Sequence, residues 1–357
     1  MTGLRVIEGG STSGTDIGVA TYIWLDRHCN ICSRTKVISV AKGANGDVVP
    51  ILNRWKMVEA VELPEGKDVA WRERMNLQTK TFILTPCNYT RDPLRSQPSF
   101  IVLCEVRGLD DIPDPWNARA RLRKLVEGKD MMPGDDPEET PAGLLGTWWG
   151  IQQHFHSLRG NEESINTDIR EKFLLSCVDA GLRIHSASNK HYWLGPRNIT
   201  DDIDVEEPGP LVIADHTILA RFLYERLLFE QGFSRDTIHM PCSIYLSTEE
   251  LRTNPDAVGN LTIILDGLKK DHPTRLYIPA LNEEGETYRA MVNKLRPSIH
   301  WEARLSVGLA INTGGPNYFR IAGAPGNVDP YEAMFRIFEV LLAAQEEPSE
   351  NPAPEGV

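Results

Sequence analysis

Residues 318–331 read Tyr318-Phe319-Arg320-Ile321-Ala322-Gly323-Ala324-Pro325-Gly326-Asn327-Val328-Asp329-Pro330-Tyr331. Two aromatics lead into a run of small residues, and Asn327 and Asp329 precede a proline where a helical pattern begins. Proline is favoured in the first helical turn, where its missing N–H is no loss, so the spacing predicts a helix over 330–344. Only Arg320 and Asp329 carry charge. The stretch holds the residues of a turn and a helix start, with little to do chemistry.

The rest of the chain has the composition of an ordinary folded protein. Of 357 residues, 41% are hydrophobic and 25% charged, enough for one large domain and a smaller one. The net charge of −12 argues against non-specific nucleic-acid binding and against docking on anionic lipid. A small acidic ligand held by local arginines stays open. The Gly/Ser/Thr-rich segment 1–21 lacks an apolar core behind a basic start, so no signal peptide is expected. No apolar run approaches the roughly 18 residues that span a bilayer, and the expectation is a cytoplasmic protein. Six cysteines make no disulfide framework in a chain this long. Cys29 and Cys32 form a lone Cys-x-x-Cys without the second pair that completes a zinc site; they read as two thiols near a strand turn.

Along the chain, residues 1–20 are expected to be flexible. Thr21–Leu25 and Arg34–Val40 are β-rich runs that predict a hairpin. Phe82–Thr85 and Phe100–Val106 read as further strands, with a proline-fixed turn at Arg91–Arg95 between them. Together they predict a small β-rich domain ending near residue 108. Helical spacing follows over 116–127, then an exposed loop over 129–141 and a strand over 148–157. Helices are expected over 167–180 (closed by Gly181), 216–231 (closed by Gly232), 256–270 and 330–344. Asp215-His216 reads as a cap at a helix start. The tail 345–357 is acidic and Pro-rich, and predicts disorder.

Residues 318–331 align without a gap to the signature Tyr-Phe-Glu-Asp-Arg-Arg-Pro, two small residues, Asn-Cys-Asp-Pro-Phe/Tyr of the eukaryotic-type glutamine synthetases. Tyr318, Phe319, Asn327, Asp329, Pro330 and Tyr331 match; the family's metal-binding Glu is Arg320 here, and its arginine pair is Ala322 and Gly323. Further likeness recurs in order at Tyr22–Asp26 with Ser33–Val37, at Arg91–Arg95 through Val102–Val106, at Asn117 with Arg119–Leu125, at Asp179–Ile184, and at Asp215–Arg226. The chain thus resembles the glutamine synthetase family over most of its length, as a divergent member lacking most catalytic residues. The resemblance implies an α+β fold: a β-grasp-like domain over 21–108, and over 109–344 a large domain with a curved, mostly antiparallel sheet and helices. It also implies ring-shaped homo-oligomers with sites between subunits.

In that family ATP phosphorylates the γ-carboxylate of glutamate, and ammonia displaces the phosphate. Hard cations held by carboxylates and arginine clamps on the phosphoryl group serve that step. The family's first metal strand, Gly-Met-Glu-Gln-Glu-Tyr, corresponds to Gly150-Ile151-Gln152-Gln153-His154-Phe155, so both carboxylates are replaced. Strand alternation puts Gln152, His154 and His156 on one face. That face reads either as a polar surface of hydrogen-bonded histidines or as a recast metal site on His154 and His156, since imidazole suits zinc or copper better than magnesium. No acidic residue lies between Ile184 and Thr200, a segment that includes His191. Ser243 stands where the family has a nucleotide-site histidine, and Ala310 and Thr313 stand where it has arginines. At Arg320 a cation replaces a metal carboxylate; two unit charges about 4 Å apart repel by ~4 kcal/mol at an effective dielectric near 20.

The expected function is that of a pseudoenzyme with a structural, scaffold or regulatory role. It would assemble with itself or with a glutamine synthetase paralogue, and no cofactor is expected. The alternative is a divergent ligase or transferase forming a γ-glutamyl or related amide with Mg-ATP. Its candidate residues are Gln152, His154, His156, His191, Ser243 and Arg320. No P-loop, Gly-x-Ser-x-Gly or dinucleotide fingerprint adds another enzyme class.

Overall fold

The computed structural model describes residues 16–26, 29–43, 46–60, 79–115, 117–126, 148–154, 167–188, 191–195, 209–232, 242–247, 306–310, 318–324 and 328–346. The chain divides into two units, Met1–Ala120 with Asp179–Gly181, and Arg121–Val178 with Leu182–Val357. Residues 118–120 go with the first unit, to whose sheet Asn117 and Arg119 are bonded.

In the first unit, β1 (Asp16–Leu25) and β2 (Ile31–Lys42) form the expected hairpin, paired antiparallel from Asp16↔Val40 to Leu25↔Ile31. The strand begins at Asp16, so residues 16–20 are not the flexible end expected of them. Besides β2 they have a parallel partner: Val19 donates its N–H to the Pro98 carbonyl at 2.9 Å and pairs with Ser99. Cys29 occupies the turn at φ +63° and Cys32 lies on β2 opposite Trp24; neither is in a disulfide. The remaining strands are β3 (Val48–Pro50), β4 (Trp55–Ala60), β5 (Thr79–Arg91) and β6 (Ser99–Arg107). The sheet order is β3-β2-β1-β6-β5-β4, with β1 and β6 parallel and the other pairs antiparallel.

Alternate residues of these strands build one core. Tyr22, Trp24, Val40, Met57, Phe82, Leu84, Phe100 and Val102 cluster together and are buried. At roughly 25 cal/mol per Å², each such side chain contributes about 1.5–3 kcal/mol. The turn at Arg91–Arg95 forms as expected: Asp92 accepts the Leu94 N–H on Oδ1 at 3.1 Å. On the opposite face of β6, buried Glu105 is gripped by Arg119 at 2.7 Å and Arg107 at 2.9 Å. Arg119 belongs to α1 (Ala118–Val126), whose start is capped by Asn117; its Oδ1 accepts the Ala120 N–H at 3.3 Å, and its Nδ2 donates to Val106 O at 3.1 Å.

The second unit carries the sheet β11-β12-β10-β7-β9-β8. Its strands are β7 (Trp148–His154), β8 (Ile184–Ala187), β9 (His191–Leu194), β10 (Cys242–Ser247), β11 (Ser306–Ala310) and β12 (Tyr318–Ala324). Every pairing in it is antiparallel, as the resemblance implied. Among the described residues three helices accompany it: α2 (Thr167–Asp179), α3 (Pro210–Glu230) and α4 (Pro330–Glu346). Gly181 and Gly232 follow α2 and α3 at positive φ, the conformation that closes helices.

Two readings of helix ends need correction. α3 starts at Pro210, one and a half turns before residue 216, because the proline supplies the first helical position ahead of Leu211-Val212-Ile213-Ala214. Asp215 and His216 are therefore inside the helix and do not cap it. α4 runs to Glu346, so Gln345 and Glu346 are helical. The loop expected over 129–141, the helix over 256–270, His156 and residues 347–357 lie outside the described residues.

Candidate functional site

β7 alternates two jobs along its length. Trp149, Ile151 and Gln153 are buried on the helix side, with Tyr192, Leu194, Ile244 and Leu246 from the neighbouring strands. Trp149 packs on Phe338 of α4 and Tyr192 on Phe173 of α2, with ring centroids 6.1 and 4.8 Å apart. Gln153, the polar residue on this face, is held by Arg221 of α3: its Oε1 accepts from Nε at 3.2 Å and from Nη2 at 2.9 Å. The third arm of Arg221, Nη1, donates to Val328 O at 2.7 Å.

Val328 leads into the matched Asp329-Pro330-Tyr331, and the structure gives each a framework task. Asp329 Oδ1 accepts the N–H groups of Tyr331 (2.8 Å) and Glu332 (3.3 Å), which caps α4. Burial pushes the Asp329 carboxyl up from its ordinary 3.8 to about 6, against the pull of those two donors. Pro330 opens the helix, and the Tyr331 hydroxyl donates to Asp215 Oδ1 at 2.8 Å, deep in the core. His216 accepts the Arg183 N–H on Nδ1 at 2.9 Å. Asp329, Pro330 and Tyr331, three of the six matched residues, thus hold the start of the final helix in place.

The other face of β7 presents Gly150, Gln152 and His154. Direct pairing sets Trp193 and Ser243 on either side of Gln152, Tyr245 opposite Gly150, and His191 opposite His154. Arg320 occupies the register position opposite Tyr245, and Ala322 the position opposite Ser243. Five candidate residues, Gln152, His154, His191, Ser243 and Arg320, thereby fall on adjacent cross-strand rows of one sheet. Gln152 Oε1 accepts the Tyr245 hydroxyl at 2.6 Å, and the Tyr245 ring stacks on Trp193 with centroids 5.1 Å apart and planes at 31°. His185 lies on Trp193 at 5.1 Å. The rings of His154 and His191 are 5.5 Å apart. Gly150 permits the tryptophan's approach: a Cβ there would sit 2.8 Å from Trp193 Nε1 and 3.0 Å from Leu194 O.

Trp193 and Tyr245 were not singled out from the sequence. Their aromatic character was the available signal; their mutual stacking depends on β9 and β10 flanking β7.

Magnesium held by carboxylates does not fit this face. Its side chains among the described residues are amide, imidazole, hydroxyl and aromatic, and no group of three His, Cys, Asp or Glu that could hold a metal ion occurs among the described residues. Hard cations take oxygen donors with charge, and Gln152 supplies one neutral oxygen already engaged by Tyr245.

The fold is α+β, with an antiparallel sheet in the second unit and a final helix capped by Asp329. No family model matches the chain. It is 28% identical to a glutamine synthetase of Streptomyces hygroscopicus, with 60% of each chain covered. It is 29% identical to the chloroplastic glutamine synthetase of Chlamydomonas reinhardtii, covering 73% of this chain and 74% of that one. With the glutamine synthetase of Emericella nidulans the identity is 25% over 90% of this chain and 92% of the relative. The match thus spans about three fifths of the Streptomyces protein's length. The chain is thus similar to glutamine synthetases over much of its length. Among the described residues no helix is long and apolar enough to cross a membrane.

Proposed function

We propose that this chain is a glutamine-synthetase-like pseudoenzyme, a structural, scaffold or regulatory protein that does not carry out ordinary ATP-dependent glutamine synthesis. The observation that carries the reading is the face of β7. At the two positions where the family's metal strand has glutamates stand Gln152 and His154, and Gln152 is spent on the Tyr245 hydroxyl. An aromatic stack of Trp193 and Tyr245 occupies the neighbouring rows. Among the described residues this face offers no carboxylate to hold the cations that neutralise a polyphosphate. The framework side of the same strand is retained, which supports a protein selected for its fold.

In this reading the chain works in the cytoplasm without Mg-ATP. It assembles as a homo-oligomeric ring or joins a glutamine synthetase paralogue, the arrangement its family implies. The test is formation of γ-glutamyl hydroxamate from glutamate, hydroxylamine and ATP, with magnesium and with manganese. The expected result is no product above a denatured control. Product that depends on both ATP and metal would overturn the proposal.

A second reading, a divergent ligase or transferase acting on a γ-glutamyl or related amide, is favoured by one observation. Gln152, His154, His191 and Ser243 share one sheet face, with Arg320 in the adjoining row. Survey of amine and acid pairs in the same assay separates it from the first.

A further inference from the structure

The sequence paired His154 with His156 along one strand. The fold pairs His154 with a different histidine, across strands. His154 and His191 are direct partners on β7 and β9, both half-buried. Their ring centroids lie 5.5 Å apart and the rings tilt by 53°. A metal ion sits about 2.0–2.1 Å from an imidazole nitrogen, hence about 3.2 Å from the ring centre once the ring radius is added. Two imidazoles disposed tetrahedrally about one ion then have centres about 5.2 Å apart. The observed separation differs from that by no more than a small side-chain adjustment supplies.

The backbone on which His191 rides is tightly held. Ser188 in the β8–β9 turn donates its N–H and its hydroxyl to His191 O at 2.8 and 3.1 Å, and its Oγ accepts the His191 N–H at 3.2 Å. A cation site needs its ligands fixed before the ion arrives, and this turn fixes one while the β7–β9 ladder fixes the other. Two neutral nitrogens select by softness: copper(II), nickel(II) and zinc(II) bind imidazole well, whereas magnesium and calcium do not. Two imidazoles fill two places on a four-coordinate ion and leave the others to further ligands.

We propose that His154 and His191 form a chelating pair for a late first-row divalent cation, with copper(II) bound most tightly and zinc(II) less so. The remaining positions are open to water or an anionic ligand. The site lies where the family's hard-cation chemistry has been lost, and it changes the class of metal the face accepts. It does not require the pseudoenzyme reading, and the two fail by different results.

The test uses the full chain without an affinity tag, stripped with chelator and dialysed. Copper sulfate, zinc chloride and magnesium chloride are titrated by calorimetry, and the copper form is examined by electron paramagnetic resonance. One saturable copper site per chain is expected, with hyperfine structure from two nitrogens, weaker zinc binding and no magnesium binding. H154A and H191A should each weaken copper binding by about a hundredfold or more, since each removes a ligand outright. H156A should leave it unchanged. Absence of a saturable copper site, coupling to fewer than two nitrogens in the wild type, or binding that survives H191A would overturn the proposal. So would loss on H156A alone. The resonance measurement needs no variant, and fewer than two coupled nitrogens overturns the proposal even where a substitution fails to fold. Hydroxamate formation only in the copper- or zinc-loaded protein would support the site and sink the pseudoenzyme reading instead.

Discussion

Replacing Asp329 by Asn should change how stability depends on pH, and the structure fixes the direction. Asp329 is buried, caps α4 through two backbone N–H groups, and titrates near pH 6 in the fold against 3.8 ordinarily. Between those two values the folded chain holds a proton that the unfolded chain has released. Stability therefore falls as pH rises through this window. The contribution is fully present below about pH 4 and is lost as pH passes about 6, because a folded-state value raised above the unfolded one favours the protonated form. About two units at about 1.4 kcal/mol each gives a swing of about 3 kcal/mol. Asparagine keeps the capping oxygen, ranks with aspartate at this position and cannot ionise. Measured by urea unfolding at steps from pH 4 to 7.5, D329N should gain about 3 kcal/mol relative to the wild type across the range, with unchanged denaturant slopes. Other titrating groups cancel in the difference between the two proteins. A difference that is flat from pH 4 to 7, or one that moves in favour of the wild type, would refute the reasoning.

Three further substitutions probe the framework. Glu105→Gln strips the charge from a carboxylate that joins Arg119 and Arg107, leaving a buried guanidinium without its counter-ion; a loss of about 3–5 kcal/mol is expected in chemical denaturation. Tyr331→Phe removes the hydroxyl bond to the Asp215 carboxylate and should cost about 1.5–3 kcal/mol, read as a lowered unfolding midpoint with far-UV dichroism unchanged. Gly150→Ala would set a methyl 2.8 Å from Trp193 Nε1 and should destabilise by about 1–3 kcal/mol. Trp193 would have to tilt off Tyr245, so the variant's tryptophan emission should shift as well; unchanged emission with unchanged stability would contradict the described stack.

Much of the framework was legible because it rests on short-range rules. The β1–β2 hairpin followed from β-rich runs on either side of a polar turn, and the start of α4 from Asp329-Pro330. Gly181 and Gly232 marked the ends of α2 and α3 because few other residues tolerate positive φ. The misreadings share a cause. Residues 16–20 read as loose chain because their partners, 36–40 on one side and Ser99-Phe100 on the other, lie about twenty and eighty positions away, and local composition carries no trace of them. The start of α3 was placed at 216 because Asp and His resemble a cap, whereas Pro210 had already begun the helix. At the site, alternation gave correctly that Gln152 and His154 share a face, but it pairs residues only along one strand. That His191 is opposite His154, and that Trp193 and Tyr245 meet beside Gln152, follow from strand order and register. Register is set by the whole sheet, so no window around any of these residues contains it.

Arg221 binds Gln153 and the Val328 carbonyl from the helix side of β7, while Gln152 and His154 look the other way. Neighbouring letters of one seven-residue strand therefore answer to different judges. Saturation mutagenesis scored for abundance should trace a period of two, intolerant at Trp149, Ile151 and Gln153 and permissive at Gln152 and His154. A lineage holding such a strand can shed or exchange its chemistry one alternate residue at a time while its architecture stays out of reach of those changes. In this chain one face carries Gln152 and His154, and the other carries Gln153, the residue that Arg221 anchors.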